Sequence, residues 1–353
     1  MEQWFISAKK ADFNGIARHF GISPVLARLM RNRNLTTEEE MRKYLYGSLE
    51  DLYEPSLLKD AEKGVQVIKE KIMAGKKIRI ISDYDVDGVS SNYILYRGLA
   101  RCGAQVDYRI PDRVADGYGI NEHLIDQAYE DGVDTVITCD NGIAAAEQIS
   151  YGNGLGMTFV VTDHHDVPFV EKDGVRTEQI PEAAAVINPK QEDCAYPFKN
   201  ICGAVVVYKF IELLYDAFGI GRREAQEFLE IAAMATVCDV MILQDENRIL
   251  VKEGLRRMNE TKIRGLRALI DANHLEDKKI TAYHLGFILG PCINASGRLK
   301  TAKKALDLLL CTEESACRAM AEELLELNSE RKEMTRKGEE EAGEKKTGEN
   351  TEQ

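Results

Sequence analysis

Residues 76–95 read KKIRIISDYDVDGVSSNYIL, with three aspartates at every second position, a glycine after them and an apolar, β-branched run before them. Six of these residues, Asp83 to Gly88, fit the opening D-x-D-x-D-G of a calcium-binding EF-hand loop. The fit stops there. Such a loop needs a bidentate glutamate at its twelfth position, which here is Ile94, and it is entered from a helix, whereas KKIRII is strand-like. A ligand-free acidic turn is the other plain reading. Three carboxylates crowded at the end of a strand, however, repel one another and raise their own pKa values unless a cation sits among them. In an open α/β sheet the carboxyl ends of the strands are also where ligands bind. The stretch therefore reads as strand, metal-binding turn and helix.

The same plan continues along the chain. Apolar or β-branched runs recur at IRII (78–81), QVDYRI (105–110), DTVITC (134–139), MTFVV (157–161) and AAAVIN (183–188), each separated by enough chain for a crossover helix or a long loop. This alternation predicts an α/β fold with a mainly parallel, doubly wound sheet over about residues 61–260. Residues 1–60 read as a helical N-terminal arm. Ser23-Pro24 supplies a cap and first turn there, and Thr36 or Thr37 precedes an acidic first turn. Within 199–260, VVVYKFIELLYDAF is apolar around most of its circumference, as expected of a buried helix. Residues 261–335 read as a helical extension, broken at Gly290-Pro291 and NASGR and ending in the start of a connector helix. The last segment, 336–353, has no large apolar residue and is expected to be disordered.

With 353 residues, 44% of them hydrophobic, the chain can bury a core. Its net charge of -13 argues against broad adhesion to nucleic acid or anionic membrane, but leaves room for a local basic groove. No run of about eighteen apolar residues occurs, and the start MEQWFISAKKADFNGIARHF lacks the basic-then-apolar plan of a secretory signal. A cytoplasmic protein without membrane contact is the expectation. The eight cysteines never form a CxxC pair and sit mostly in apolar segments, which suits reduced, buried thiols better than a disulfide framework or a zinc site.

Three later runs end as the first does. VITCDNGI places Asp140 directly after a strand, FVVTDHHDVP places Asp163, His164 and His165 after another, and AAMATVCDVMIL adds Asp239. Taken singly, Asp140 could cap a helix, the histidines could be surface residues and Asp239 could end a helix. Together they supply carboxylates with one or two imidazoles, the ligand mix suited to Mn²⁺ or Mg²⁺ with no thiolate required. Phosphoester hydrolysis by two ions about 3.5–4 Å apart uses this mix, and needs one carboxylate shared between the ions from a strand near the middle of the site. Asp140 is the candidate.

In these stretches, and in INPKQEDCAYPFKNICGAVVVYKF, ATVCDVMILQDENRILVKEGL and GPCINASGRL, the chain resembles the DHH phosphoesterase superfamily, and within it the RecJ-type single-strand-specific 5′ to 3′ exonucleases. The resemblance runs from about residue 20 to 335. It implies a two-ion enzyme acting on single-stranded DNA in repair or recombination, with a single-strand-binding protein or a helicase as partner. It makes Asp83 and Asp85 ligands of one ion, Asp140 the bridge, and Asp87, His164 and Asp239 ligands of the other. Asp163 would orient the site and His165 would face the scissile phosphate. Some relatives carry histidine where this chain has Asp83; an aspartate is a hard oxygen ligand, so Mn²⁺ or Mg²⁺ stays the expected metal. The resemblance also places Arg298 on the nucleic-acid backbone, with Asn294 and Ser296 shaping that loop, and Arg113 in a loop over the site.

RecJ-type enzymes continue into a second core domain with a GGH-type signature and then an oligonucleotide-binding barrel, and neither is expected in this text. The basic residues Arg256, Arg257, Arg264, Arg267, Arg298, Lys300, Lys303 and Lys304 would then form half of a strand-binding groove, giving weak binding and poor processivity. Hydrolysis of oligonucleotides or cyclic dinucleotides is a second reading. An inactive scaffold that binds nucleic acid or a replication partner is a third.

Overall fold

The computed structural model describes residues 9–112, 117 and 119–349. Five parallel strands form its centre: β1 (Lys77–Ser82), β2 (Gln105–Arg109), β3 (Thr135–Cys139), β4 (Thr158–Thr162) and β7 (Ala185–Ile187), standing in the order β2-β1-β3-β4-β7. All five expected runs are strands. From β1 the chain steps to one side for β2 and then crosses to the other for β3. The switch point, where loops diverge and leave a crevice, therefore lies between β1 and β3.

Both faces of the sheet are covered, which is why its strands read as near-continuous apolar runs. Alternate residues serve opposite faces. Ile78, Ile80, Ile137, Cys139 and Val160 join the larger core beneath the helices Val86–Arg101 and Gly203–Ala217. Ile81, Val136, Phe159 and Val161 join a second core with Leu124, Ile125 and Ile149 from the helices Glu122–Glu130 and Ala146–Gly154. The Gly203–Ala217 helix is buried on every side as far as Tyr215. Even its lysine is inside: Lys209 meets buried Glu246 at 2.9 Å and donates to Tyr53 O at 2.7 Å, which ties the stretch after the N-terminal helices to the core. Those helices are Phe13–Phe20, Pro24–Asn32, capped by Ser23, and Glu38–Tyr46, where Thr37 and Glu40 form a capping box.

Three segments differ from the sequence reading. Gly290-Pro291 does not break the helical region, because Ala282–His284, Leu285–Leu289 and Gly290–Leu299 follow one another without a gap. Pro291 has no N–H to give and its ring crowds the carbonyl one turn back; the widened π turn Leu285–Leu289 absorbs this without ending the helix. Residues 336–349, expected to be disordered, belong to the long helix Glu314–Glu349. Packing holds its first half through Ala321, Leu324 and Leu327. The second half is rich in strong helix formers, and pairs such as Arg336 with Glu333 and Glu340 support it locally. The third segment is a hairpin, β5 (Phe169–Lys172) with β6 (Val175–Glu178), whose residues are almost all exposed and so carry no apolar alternation to read. Among the described residues no helix is long and apolar enough to cross a membrane.

Candidate metal centre

The sheet's register sets the level of the site. Ser82 pairs with Cys139, Cys139 with Thr162 and Thr162 with Ile187. The ladder then runs one residue further: Asp83 N donates to Cys139 O at 3.3 Å, Asp140 N to Thr162 O at 3.0 Å and Asp163 N to Ile187 O at 3.0 Å. Three aspartates from three strands thus share one level at the carboxyl edge, with Asp83 and Asp140 on either side of the switch point.

The turn after β1 delivers two more. Asp85 caps the Val86–Arg101 helix, its Oδ1 accepting from Asp87 N at 2.9 Å and Gly88 N at 3.0 Å. Gly88 permits a turn this tight, since a Cβ there would lie 2.3 Å from Asp83 O. Asp87 points across to the Gly203–Ala217 helix and accepts from Gly203 N at 2.6 Å and Ala204 N at 2.8 Å, two of the amides a helix start leaves unpaired. Gly203 is needed for a second reason: a Cβ would stand 2.9 Å from Asp140 Cβ. Asp239 closes the set from the C-cap of the Leu229–Cys238 helix.

These side chains converge. Ligand atoms of Asp83, Asp85 and Asp140 lie within 4.8 Å of one another, as do those of Asp87, His164 and Asp239, and those of Asp140, His164 and His165. His164 Nε2 is 3.1 Å from Asp140 Oδ1, 3.4 Å from Asp87 Oδ2 and 3.7 Å from Asp239 Oδ2. Such crowding opposes ionisation. Burial, then Asp85, pushes the Asp83 pKa up to about 7, and burial, then Asp87 and Asp85, does the same to Asp239. Fully buried Asp140 is held well above the usual carboxylate range by desolvation and by Asp87 and Asp85, and Asp85 is raised by burial and Asp87. Desolvation lowers the pKa of His164, so its ring stays neutral, as a metal ligand must.

The donor set fits a divalent cation. Asp83 Oδ1 and His164 Nδ1 are buried without a hydrogen-bond partner among the described residues. Asp140 Oδ1, although close to His164 Nε2, receives no aligned hydrogen bond. Asp163 is different because its oxygens are taken: Oδ2 accepts from Ile143 N at 2.9 Å, and Oδ1 from His164 N at 2.7 Å and from His165 N and Nδ1 at 3.2 and 2.8 Å. Burial opposes its charge, but the hydrogen bond and charge of His165 outweigh burial and its pKa is lowered. His165, half exposed at the mouth, has its pKa raised by the bond to Asp163.

Arg298 is exposed on the helix Gly290–Leu299 and has no ion-pair partner among the described residues. Asn294 reaches the metal-binding turn directly, its Oδ1 accepting from Val86 N at 3.1 Å. Ser296 is fully buried and its hydroxyl donates to Ile293 O at 2.8 Å, so it shapes this helix from within. Arg113 lies outside the described residues. Most of the basic residues expected to form a half-groove are engaged with neighbours on the protein itself. Arg256 and Arg257 pair with Glu253, Lys303 with Asp307, and Lys300 and Lys304 with Glu323, while Arg264 donates to Thr312 O. Sequence reasoning missed the braces. Asn141 Nδ2 joins Ile81 O and Cys139 O across β1 and β3, at 3.1 and 3.0 Å, and Asn188 Nδ2 holds His165 O at 2.9 Å. Both asparagines directly follow or nearly follow strands, which was the one available signal.

Residues 77–236 match the family model described as DHH family, N-terminal domain. The chain is 33% identical over 341 residues to the single-stranded-DNA-specific exonuclease RecJ of Bacillus subtilis, an alignment covering 96% of this chain and 42% of that protein. A crystal structure of exonuclease RecJ bound to manganese superposes with a TM-score of 0.69 at 32% identity, over 78% of this chain and 67% of that one. RecJ of Thermus thermophilus in complex with Mn²⁺ gives a TM-score of 0.74 at 28% identity, over 91% of this chain and 44% of that one. The chain spans about half the length of the curated relatives it matches.

Proposed function

The chain belongs to the DHH family, and from that premise we propose that it is a RecJ-type hydrolase of phosphodiesters in single-stranded DNA, working from the 5′ end with two Mn²⁺ or Mg²⁺ ions. The observation that carries this reading is the meeting of two ligand trios, Asp83/Asp85/Asp140 and Asp87/His164/Asp239, at the switch point of the sheet. When bound, the ions would supply a water of lowered pKa and neutralise charge on the phosphate oxygens.

The chain's own residues do the rest. Asp83 and Asp85 would hold one ion and Asp87, His164 and Asp239 the other, and Asp140, whose carboxylate lies near both groups, would be shared. Asp87 is fixed by the amides of Gly203 and Ala204, and Asp163 fixes His165. His165 at the mouth of the site, its pKa raised by the bond to Asp163, would support charge developing on the phosphoryl oxygens or the leaving group. Arg298 contacts the strand's backbone. Repair or recombination in the cytoplasm, beside a single-strand-binding protein or a helicase, is the setting this reading implies.

The test is incubation of the purified chain with 5′-phosphorylated single-stranded DNA, duplex DNA and a dinucleotide, with and without Mn²⁺. Mn²⁺-dependent nucleotide release from the single strand, lost in Asp140→Ala, supports the reading. Cleavage of the dinucleotide alone turns it toward short oligonucleotides, and no cleavage of any substrate rejects it.

A further inference from the structure

We propose that Tyr283 and Phe287 form a stacking platform for the bases of the strand whose phosphodiester enters the metal centre, an inference that rests on the single-strand reading above. Both side chains are large, apolar and turned to solvent, 62% and 70% exposed, with their rings stacked on each other at 5.1 Å and 27°. Exposed apolar residues scattered singly need no explanation; a stacked aromatic pair beside a metal centre does.

Its position is set by the helical run Ala282–Leu299. Leu285 O accepts from Cys238 Sγ at 3.5 Å, next to Asp239, and Asn294 Oδ1 holds Val86 N at 3.1 Å, between Asp85 and Asp87. A Cβ on Gly297 would lie 2.6 Å from Tyr84 O. The run is therefore laid along the metal-binding turn from one side of the centre to the other. Tyr283, Phe287 and Arg298 all lie on the exposed side of this run, and Asn294 between them turns to Val86 N. That side carries two flat rings, then a cation. Phe287 to Arg298 is eleven residues, roughly 16 Å of helix, room for a few nucleotides.

Two further features mark this edge. The π turn Leu285–Leu289 carries Phe287, and such turns recur at functional sites. Val240, the residue after Asp239, sits at φ 56 with its side chain 87% exposed, a left-handed conformation that a β-branched residue rarely holds. It adds an apolar lip to the same edge. Every base has a π-face, so aromatic rings hold a strand without regard to sequence, while the cation on the same face takes its phosphates. This mixed apolar and cationic face, running on from carboxylates that would hold the ions, suits a polyanion with bases better than the apolar surface of a second copy of this chain.

The test compares kcat/KM with Mn²⁺ on oligothymidylate and on an all-abasic phosphodiester oligomer of equal length, for the wild type and for Tyr283→Ala with Phe287→Ala. The wild type is expected to favour the base-bearing strand by about tenfold or more, and the double variant to lose that preference. An unchanged ratio overturns the proposal, whatever the absolute rates. An unchanged ratio together with loss of self-association in sedimentation overturns it in favour of a second copy of the chain. If the wild type cleaves neither oligomer the hydrolase reading has failed, and the platform is then read by fluorescence anisotropy of the same oligomers with Ca²⁺. A preference for bases that the double variant abolishes supports it there, and equal binding of both oligomers by the wild type overturns it.

Discussion

Asp83 and Asp239 each titrate near neutrality because the fold buries them among like charges, and their sign decides how the metal-free chain responds to pH. A carboxylate raised above its unfolded value binds more protons folded than unfolded, so stability falls as pH rises from the unfolded toward the folded pKa. The raised pKa of His165 acts in the same sense, its contribution being lost as pH rises through the folded value. His164, lowered, acts oppositely, but only below about pH 6.5. The metal-free chain should therefore melt lower at about pH 8 than at about pH 6.5, and Mn²⁺ should raise the melting temperature more at the higher pH. Differential scanning calorimetry with and without Mn²⁺ reads both effects. Asp163→Asn removes the largest cause of the His165 shift, so an NMR titration should place that ring's pKa lower in the variant than in the wild type. His165→Ala should cost about 10²–10⁴ in kcat while leaving Mn²⁺ binding in place.

At the scale of elements, Gly203 stands where the start of a helix meets the end of β3. Gly203→Ala should destabilise the chain by about 1–3 kcal/mol, since a methyl group there overpacks against Asp140, and should weaken Mn²⁺ binding as well. Urea unfolding and calorimetric titration separate the two effects. The strands were legible because parallel strands covered on both faces must be apolar, and the residues just past their ends were legible because the level of the sheet's edge is common to all. What holds Asp87 was not legible: its partners are the amides of Gly203 and Ala204, which no residue letter records. The Gly290-Pro291 pair read as a break because a proline's cost is visible in sequence, whereas the π turn that absorbs it is a property of the packed helix.

Across the whole molecule, charge and packing are distributed unevenly. Most of the basic residues expected to line a groove are paired with carboxylates on the same surface, Arg256, Arg257 and Lys303 at helical spacings readable in the sequence and Lys300 and Lys304 with the distant Glu323. Affinity for a strand should accordingly fall only shallowly with salt, because few cations remain to displace counterions, and anisotropy across a salt series measures that slope. In the outer part of the Glu314–Glu349 helix, Arg336 pairs with Glu333 and Glu340 in exposed, local ion pairs that add little to stability. Ending the chain after Thr335 should leave the melting temperature of the remainder nearly unchanged. At the centre of the molecule Asp140 offers a ligand atom both beside Asp83 and Asp85 and beside His164 and His165, the place we propose for a carboxylate shared between two ions. Calorimetric titration with Mn²⁺ tests this directly. Two ions per wild-type chain, and fewer than two in an Asp140→Ala chain that still melts cooperatively, is the predicted result; no saturable binding, or an Asp140→Ala chain that still takes two ions, would contradict it.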